Sequence, residues 1–408
     1  MCFNKSTFRM FKKVVVGISG GVDSAVAALL LKNKGFNVTG VFMRNWDIRD
    51  ETGKCQADED YEDAKWVCNR IKIPLVEVNF IKEFWNNVFC YITEQCENGY
   101  TPNPDVMCNK FIKFEKFFNF ARNELQADAI ATGHYAKTSF GTHLEHFKPD
   151  TNVKMLQAQD PGKDQTFFLC HVPQQALRYS MFPLGDYLKS NVKQIAQEAG
   201  LDVVLRKRES TGICFVGKRN FQNFISMYLP DKPGDFIDLD NGQIVGKHMG
   251  LHYWTIGQNI RYACKPFPYF VYRKDIETNN IIVVRGTNNP ALYSDFLITK
   301  SPFWISAEPS ELNSFCRILN CNFRFQHRYP LVSCTVHKSL KNELLIELSK
   351  PMRALSEGQF SVLYKGEECL GASVISYHGP SSFNLKEKVE MEDYRVNDIK
   401  NENANASM

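Results

Sequence analysis

Val14-Val15-Val16-Gly17-Ile18-Ser19-Gly20-Gly21-Val22-Asp23-Ser24, running on into Ala25 to Leu31, decides how this chain is read. The apolar triplet predicts a buried strand, the glycines a turn, and the apolar-periodic run a helix. A turn of this kind aims backbone N–H groups and a helix N-terminus at one point, which suits a phosphate. Gly20 and Gly21 let the main chain come close to a ligand. Ser19 and Ser24 offer hydroxyls, and Asp23 can orient a metal or cap the helix. The segment lacks the Gly-Lys-Ser/Thr ending of a Walker loop, so no lysine of the loop reaches for a γ-phosphate. The plainer alternative is a glycine turn of any α/β protein. It explains the turn but not the agreement of strand, loop and helix signals.

The same rhythm continues outward. Asn37–Met43, Leu75–Asn79 and Asp128–Thr132 read as strands, and Ser24–Lys34, Asp58–Ile71, Glu83–Gln95 and Ile112–Glu124 as helices. Such alternation predicts a doubly wound parallel sheet with helices on both faces. Ligands then gather beyond the carboxyl ends of the strands, after residues 16, 43 and 132. Residues 164–228 read as mostly helical, broken near Pro183 and at Gly200. Beyond residue 230 the texture is short strands and turns, including Ile281–Arg285, Phe323–Arg328, Val332–His337, Glu343–Leu348 and Gln359–Tyr364. That predicts a small central β-rich domain and a C-terminal β-barrel. The polar stretch from Lys386 reads as a disordered tail.

Composition narrows the function classes. The chain has 408 residues, 44% of them hydrophobic, and a net charge of +4. Two or three domains are expected from that length. Any basic surface is local, and the longest apolar runs are too short for a membrane span. The thirteen cysteines are scattered, odd in number and without a C-x-x-C pair, which points to a reducing compartment rather than a disulfide scaffold or zinc knuckle. Lys5, Arg9, Lys12 and Lys13, with no acid among the first thirteen residues, read either as a short targeting remnant or as a basic N-terminus.

Two cysteines stand in suggestive settings. Thr101-Pro102-Asn103-Pro104-Asp105-Val106-Met107-Cys108-Asn109-Lys110 is a proline-stiffened loop entering a helix. It sets Cys108 near a helix N-terminus with Lys110 and Lys113 close by, which favours a thiolate, and Asp105 can move a proton. Gly212-Ile213-Cys214-Phe215 lies among Lys207, Arg208, Lys218 and Arg219, a setting that lowers a thiol pKa and suits a nucleic-acid backbone. From spacing alone each cysteine is equally a buried structural one.

Taken together, these motifs resemble the tRNA-specific 2-thiouridylase family, of the pyrophosphate-loop (adenine nucleotide α-hydrolase-like) superfamily. The matching stretches are residues 17–24, Asn103-Pro104-Asp105 with Cys108-Asn109-Lys110, Gly133-His134-Tyr135, Lys163-Asp164-Gln165-Thr166, Gly212-Ile213-Cys214-Phe215 and Gly250-Leu251-His252-Tyr253-Trp254-Thr255-Ile256-Gly257-Gln258. The mitochondrial branch is the nearer fit, through Phe323-Arg324-Phe325 and Tyr364 to Gly371. Asn259-Ile260-Arg261-Tyr262 departs from the family's Arg-x-Gly-Leu, and Arg324-Phe325-Gln326-His327 replaces Arg-Tyr-Arg-Gln.

The resemblance implies ATP-dependent 2-thiolation of the wobble uridine of tRNAs, those for Lys, Glu and Gln by analogy. ATP, with Mg²⁺, adenylates the uracil C2 oxygen; sulfur then arrives from a cysteine persulfide, and AMP and pyrophosphate leave. It implies ATP contacts at Gly17, Ile18, Ser19, Gly20, Gly21, Val22, Asp23, Ser24, Met43 and Gly133. It makes Cys108 the nucleophile, Cys214 the persulfide carrier, Asp105 an acid/base candidate, and a Cys108–Cys214 disulfide the product to be reduced. Asn103, Pro104 and Asp105 would meet the target base. His134, Lys163, Asp164, Gln165, Arg324, Phe325 and Gln359 would meet tRNA, with Phe325 stacking on a base or ribose. A persulfide donor protein and a reductant are implied as partners, and no membrane. The expected location is the mitochondrial matrix, the alternative the cytoplasm. The expected domains are a catalytic domain over 12–219, a central one over 220–292 and a barrel over 293–385, with a targeting remnant over 1–11 and the tail over 386–408. Two rivals remain: another pyrophosphate-loop synthetase that uses an amine, and a non-catalytic RNA-binding protein.

Overall fold

The computed structural model describes residues 11–47, 56–207, 221–260 and 268–379. The first domain is built on five parallel strands, β1 (Lys13–Gly17), β2 (Asn37–Arg44), β3 (Leu75–Asn79), β4 (Ala129–Ala131) and, after a hairpin of β5 (Lys137–Thr138) and β6 (Met155–Leu156), β7 (Ser180–Met181). Their order is β3-β2-β1-β4-β7. Val14 to Val16 are wholly buried, as a strand covered on both faces requires. The strand order reverses between β1 and β4, whose register pairs Val16 with Ala131. A crevice therefore opens where the loops leaving these two strands part, the usual ligand position in such sheets.

Helix α1 (Val22–Asn33) follows β1, and α2 (Gln56–Ile71) follows β2. Helix α3 begins as Ile81–Phe84, passes through a π-helical Trp85–Phe89 and ends as Cys90–Glu97. Helix α4 begins as Pro104–Met107, widens into a π-helical Cys108–Lys116 and closes as Phe117–Asn123. It starts well before the Ile112 that periodicity alone indicates, because Asn103 caps it and Pro104 occupies its first turn. The expectation of helix across 164–228 is corrected. Turns run from residue 166 to 171, followed by Gln174–Leu177, strand β7, α5 (Lys189–Glu198) and the short Asp202–Leu205 and Phe221–Ile225. The apolar residues there, Phe167, Leu169, Cys170 and Val172, are buried without helical regularity.

The central domain is a five-stranded sheet of β8 (Gly234–Asp238), β9 (Ile244–His248), β10 (Asn259–Ile260), β11 (Tyr269–Asp275) and β12 (Asn280–Arg285), around Phe236, Val271, Ile281 and Val283. The last domain is a closed ring. Strands β13 (Tyr293–Thr299), β15 (Ile318–Arg324), β16 (Val332–Lys338), β17 (Leu344–Arg353), β18 (Phe360–Lys365) and β19 (Glu368–His378) are joined in the order 13-17-16-15-18-19, and β19 returns to β13; the short β14 (Phe303–Trp304) adds to β19. The α/β, central β and barrel architecture is thus the expected one. The hairpin of the first domain also joins the barrel's sheet, with Leu156 opposite Glu368 and Met155 opposite Cys369.

Candidate active site

Gly17 to Ser24 leave the carboxyl end of β1 and turn into α1. Gly21 stands at the N-cap without a side-chain cap, so the first N–H groups of the helix face the turn. Two close approaches shape it. Gly20 has φ +72°, and a Cβ there would lie 2.4 Å from the Asp60 carbonyl oxygen on α2. A Cβ on Gly133, after β4, would lie 2.6 Å from the Ser24 nitrogen. Only glycine fits either position, and the two loops come together as one backbone cradle of exposed main-chain polarity, which suits a phosphate. Ser24 Oγ donates to the Gly21 carbonyl at 3.0 Å and accepts from Ser19 N at 3.1 Å, so the loop holds its own shape. The Met43 side chain reaches Gly17, its Cε 3.1 Å from where a Cβ would stand.

Asp23 is held by Lys189, which the sequence does not single out, and by Tyr135, which the sequence marks only as part of the Gly133-His134-Tyr135 stretch. Lys189 Nζ, from the start of α5, lies 2.7 and 2.8 Å from its two oxygens, and the Tyr135 hydroxyl donates to it at 2.8 Å. Lys189 brings to the cradle the positive charge that the loop itself lacks. Lys207 lies 2.6 Å from both Asp60 and Asp63 and 3.5 Å from the Gly20 carbonyl. Burial works against its charge, but the two carboxylates outweigh that and raise its pKa. No signal in the sequence points to Lys189; Lys207 reads there as part of the basic setting of Cys214, and the structure pairs it with Asp60 and Asp63. The residues present fit ATP: a glycine cradle, a bare helix start, an acid able to turn toward Mg²⁺ and a lysine facing both.

Cys108 lies on α4, a helix whose later turns reach the glycine loop. The ring of Phe117 on the same helix comes within 3.7 Å of a Cβ placed on Gly17. The thiol's setting differs from the expected one. The helix starts at Pro104, so Cys108 is a full turn inside, only 4% exposed, at the point where the π-helical stretch begins. Such widened turns often occur at functional sites. Lys110 lies over the Phe111 ring. Lys113 approaches His134 Nε2 at 3.4 Å. Burial holds the His134 imidazole well below its ordinary pKa, and Lys113 adds to the effect. A neutral ring that accepts from Lys113 then donates through Nδ1 to Thr132 Oγ1, 2.9 Å away. Asp105 is raised above its ordinary pKa by burial, with Lys113 opposing. A carboxyl whose burial makes it hold its proton more tightly suits proton transfer. Cys214 and its neighbours lie outside the described residues, as do residues 1–10, Arg261, Tyr262 and the tail.

The remaining expected residues are brought together only in part. Asn103 Oδ1 accepts from Val106 N at 3.3 Å, as a helix cap, and Pro104 is buried beside it. Lys163 is half-buried at a turn, its N–H bonded to Asp160 O at 3.1 Å. Gln165 exchanges bonds with the Tyr135 backbone, its Oε1 accepting from Tyr135 N at 2.9 Å. The Asp164 carboxylate is 1% exposed and turned inward to Thr166 Oγ1, Ala158 N and Arg324. Arg324 lies over the Tyr364 ring, with its Nε buried and without a partner. The expectation that Phe325 stacks on a base is corrected: it is fully buried in the barrel core against Phe323 and Tyr329. Strand β15 ends at Arg324, and the turn that follows folds the ring inward. Gln359 donates its amide to Thr101 O at 2.9 Å. Among the described residues no group of His, Cys, Asp and Glu is arranged to hold a metal, and no helix is long and apolar enough to cross a membrane.

Residues 12–218 match the family model of the tRNA methyl transferase HUP domain, 222–285 that of its PRC-barrel domain, and 294–375 that of the aminomethyltransferase beta-barrel domain. The chain is 46% identical over 371 residues to the mitochondrial tRNA-specific 2-thiouridylase 1 of Drosophila melanogaster, covering 91% of this chain and 95% of that one. It is 45% identical to the protein of that name in Homo sapiens, over 92% and 93% of the two chains. The tRNA-specific 2-thiouridylase MnmA of Staphylococcus aureus is 46% identical over 89% of this chain and 95% of its own. The methyl transferase label of the models contrasts with the names of these relatives, which are thiouridylases. With identity of this extent running through all three domains, the chain belongs to the tRNA-specific 2-thiouridylase family.

Proposed function

We propose that this protein is an ATP-dependent tRNA 2-sulfurtransferase that thiolates the wobble uridine. The observation that carries the reading is the packing of Gly133 on Ser24 and of His134 on Lys113, which joins the glycine cradle to the thiol helix. Lys113 in turn acts on Asp105, three residues before Cys108. Oxygen activation and a cysteine one helix away are what replacing oxygen by sulfur requires.

ATP supplies the leaving group, by adenylating the C2 oxygen of uracil. Residues 17–24 and Gly133 grip its phosphates through backbone N–H groups. Met43 would contact the adenine, Asp23 would hold Mg²⁺, which would neutralise phosphate charge, and Lys189, released from Asp23, would bind phosphate. Asn103, Pro104 and Asp105 take the extruded base, a nucleotide leaving its stack as such chemistry demands. Asp105 moves the proton. Cys214 delivers the sulfane sulfur and Cys108 completes the exchange, leaving a Cys108–Cys214 disulfide for a reductant to open. His134, Lys163, Gln165 and Arg324 guide the tRNA. The names of the animal relatives support a mitochondrial location, in the matrix where such tRNAs are found.

The test is incubation with ATP, Mg²⁺, a persulfide source and unmodified tRNA, followed by mass analysis of the nucleosides. 2-Thiouridine is expected from the unaltered chain. It should be absent with Cys108→Ser and with Cys214→Ser, each still binding ATP. A folded chain that binds ATP and yields no 2-thiouridine overturns the reading. Full activity in either cysteine variant overturns the two-thiol mechanism.

A further inference from the structure

The strap of residues 99–103, which leads into α4, is held from both of the other domains. Gly99 has φ +74°, and its carbonyl accepts from Lys274 Nζ of the central sheet at 2.8 Å. Ile276 and Leu251 pack where a Cβ on Gly99 would stand, 3.3 and 3.6 Å away. From the barrel, the Glu357 carbonyl accepts from Thr101 N at 2.9 Å, and Gln359 Nε2 donates to Thr101 O at 2.9 Å. Gly358 has φ +88°, and a Cβ there would lie 2.9 Å from Thr101 N, so the barrel turn is pressed against the strap. Pro102 follows with no N–H to offer, and Asn103 then caps the helix. The strap has little secondary structure of its own; these distant groups fix it.

We propose that Gln359 and Lys274 are positioning residues, which fix from the barrel and the central domain the strap that sets where Asp105 and Cys108 stand on α4. The proposal rests on the sulfur-transfer reading of Cys108. It gives Gln359 a role other than contact with tRNA, since its side-chain amide donates to the Thr101 carbonyl. A displacement of about 1 Å at reacting groups costs roughly 100-fold in rate, more than the loss of one hydrogen bond would. Burial already pushes the Lys274 ammonium down to about 8, which fits a lysine placed for one carbonyl rather than for solvent.

Gln359→Leu and Lys274→Met, in the full chain, test this with two measurements. The first is amide hydrogen exchange, which needs no activity. Exchange at Thr101 and Val106 should rise tenfold or more in each variant while the strands of the barrel keep their protection; unchanged exchange in both overturns the proposal. The second is steady-state thiolation. A fall in kcat of tenfold or more, with the KM for tRNA within twofold, supports positioning. A raised KM for tRNA with kcat kept returns Gln359 to tRNA contact and overturns it. If the unaltered chain makes no 2-thiouridine, the sulfur-transfer reading fails, and the exchange measurement still decides whether these residues hold the strap.

Discussion

The nucleotide cradle and the thiol helix solve the same problem, placing reactive atoms, in opposite ways. The cradle is assembled from contiguous residues whose backbone does the work, stiffened by bonds between Ser19, Gly21 and Ser24 within one turn. The start of the thiol helix is held by Lys274 and Gln359, from domains that follow it in the chain by more than a hundred residues. A motif that needs only its own backbone can be moved intact from one enzyme to another. A reactive segment fixed from elsewhere is specific to one assembly of domains, and that is where a tRNA-sized substrate can be sensed.

The contrast can be broken first at Asp105. Asp105→Asn is expected to lower the thiolation rate by about 10²–10⁴-fold. The folded carboxyl is raised above its ordinary value of 3.8 by burial, so between that value and the raised one the native state binds the extra proton. The group's contribution to stability therefore falls as pH rises through that window. Asn removes the penalty, so the variant should melt higher than the unaltered chain at neutral pH. The difference should vanish below about pH 3.8. A variant that melts lower at neutral pH would show that the carboxylate is stabilised where it lies.

On the cradle side, Lys189→Met should raise the KM for ATP by about 10–100-fold, the size of a charge-assisted bond of roughly 1.5–3 kcal/mol. Lys189→Arg should recover part of it. An unchanged KM would mean that the loop backbone suffices and that Lys189 only neutralises Asp23. The smallest effect is expected from Asn103→Ala. Losing the bond to Val106 N should cost about 1 kcal/mol in a denaturant melt. No loss there would mean that the strap alone orders the helix start.

What could be read in the sequence follows the same division. The strand, glycine turn and helix of residues 13–33 were legible because their signals are local and agree. Lys189 and Tyr135 were not, because they reach Asp23 from 166 and 112 residues away, and no periodicity marks such a meeting. The turns at 166–171 carry an apolar content that mimics a helix, yet those side chains are drawn to the junction with the barrel, where Thr166 Oγ1 lies 3.3 Å from the Tyr364 hydroxyl. Phe325 was misread for the complementary reason. An aromatic beside an arginine looks like a nucleic-acid contact, but the strand ends at Arg324 and the bend after it turns the Phe325 ring into the core beside Phe323.

The hairpin edge at Met155 and Leu156 has a consequence for biosynthesis. Its partners, Glu368 and Cys369, are made some two hundred residues later. At about 5–20 residues per second the first domain waits roughly 10–40 s on the ribosome with that edge unpaired. An open strand edge is a template for wrong pairing, and the shortness of this one, two residues, limits that hazard while it waits. A fragment ending before the barrel keeps the hazard permanently. Truncated copies of this protein should be cleared or aggregate rather than compete for ATP.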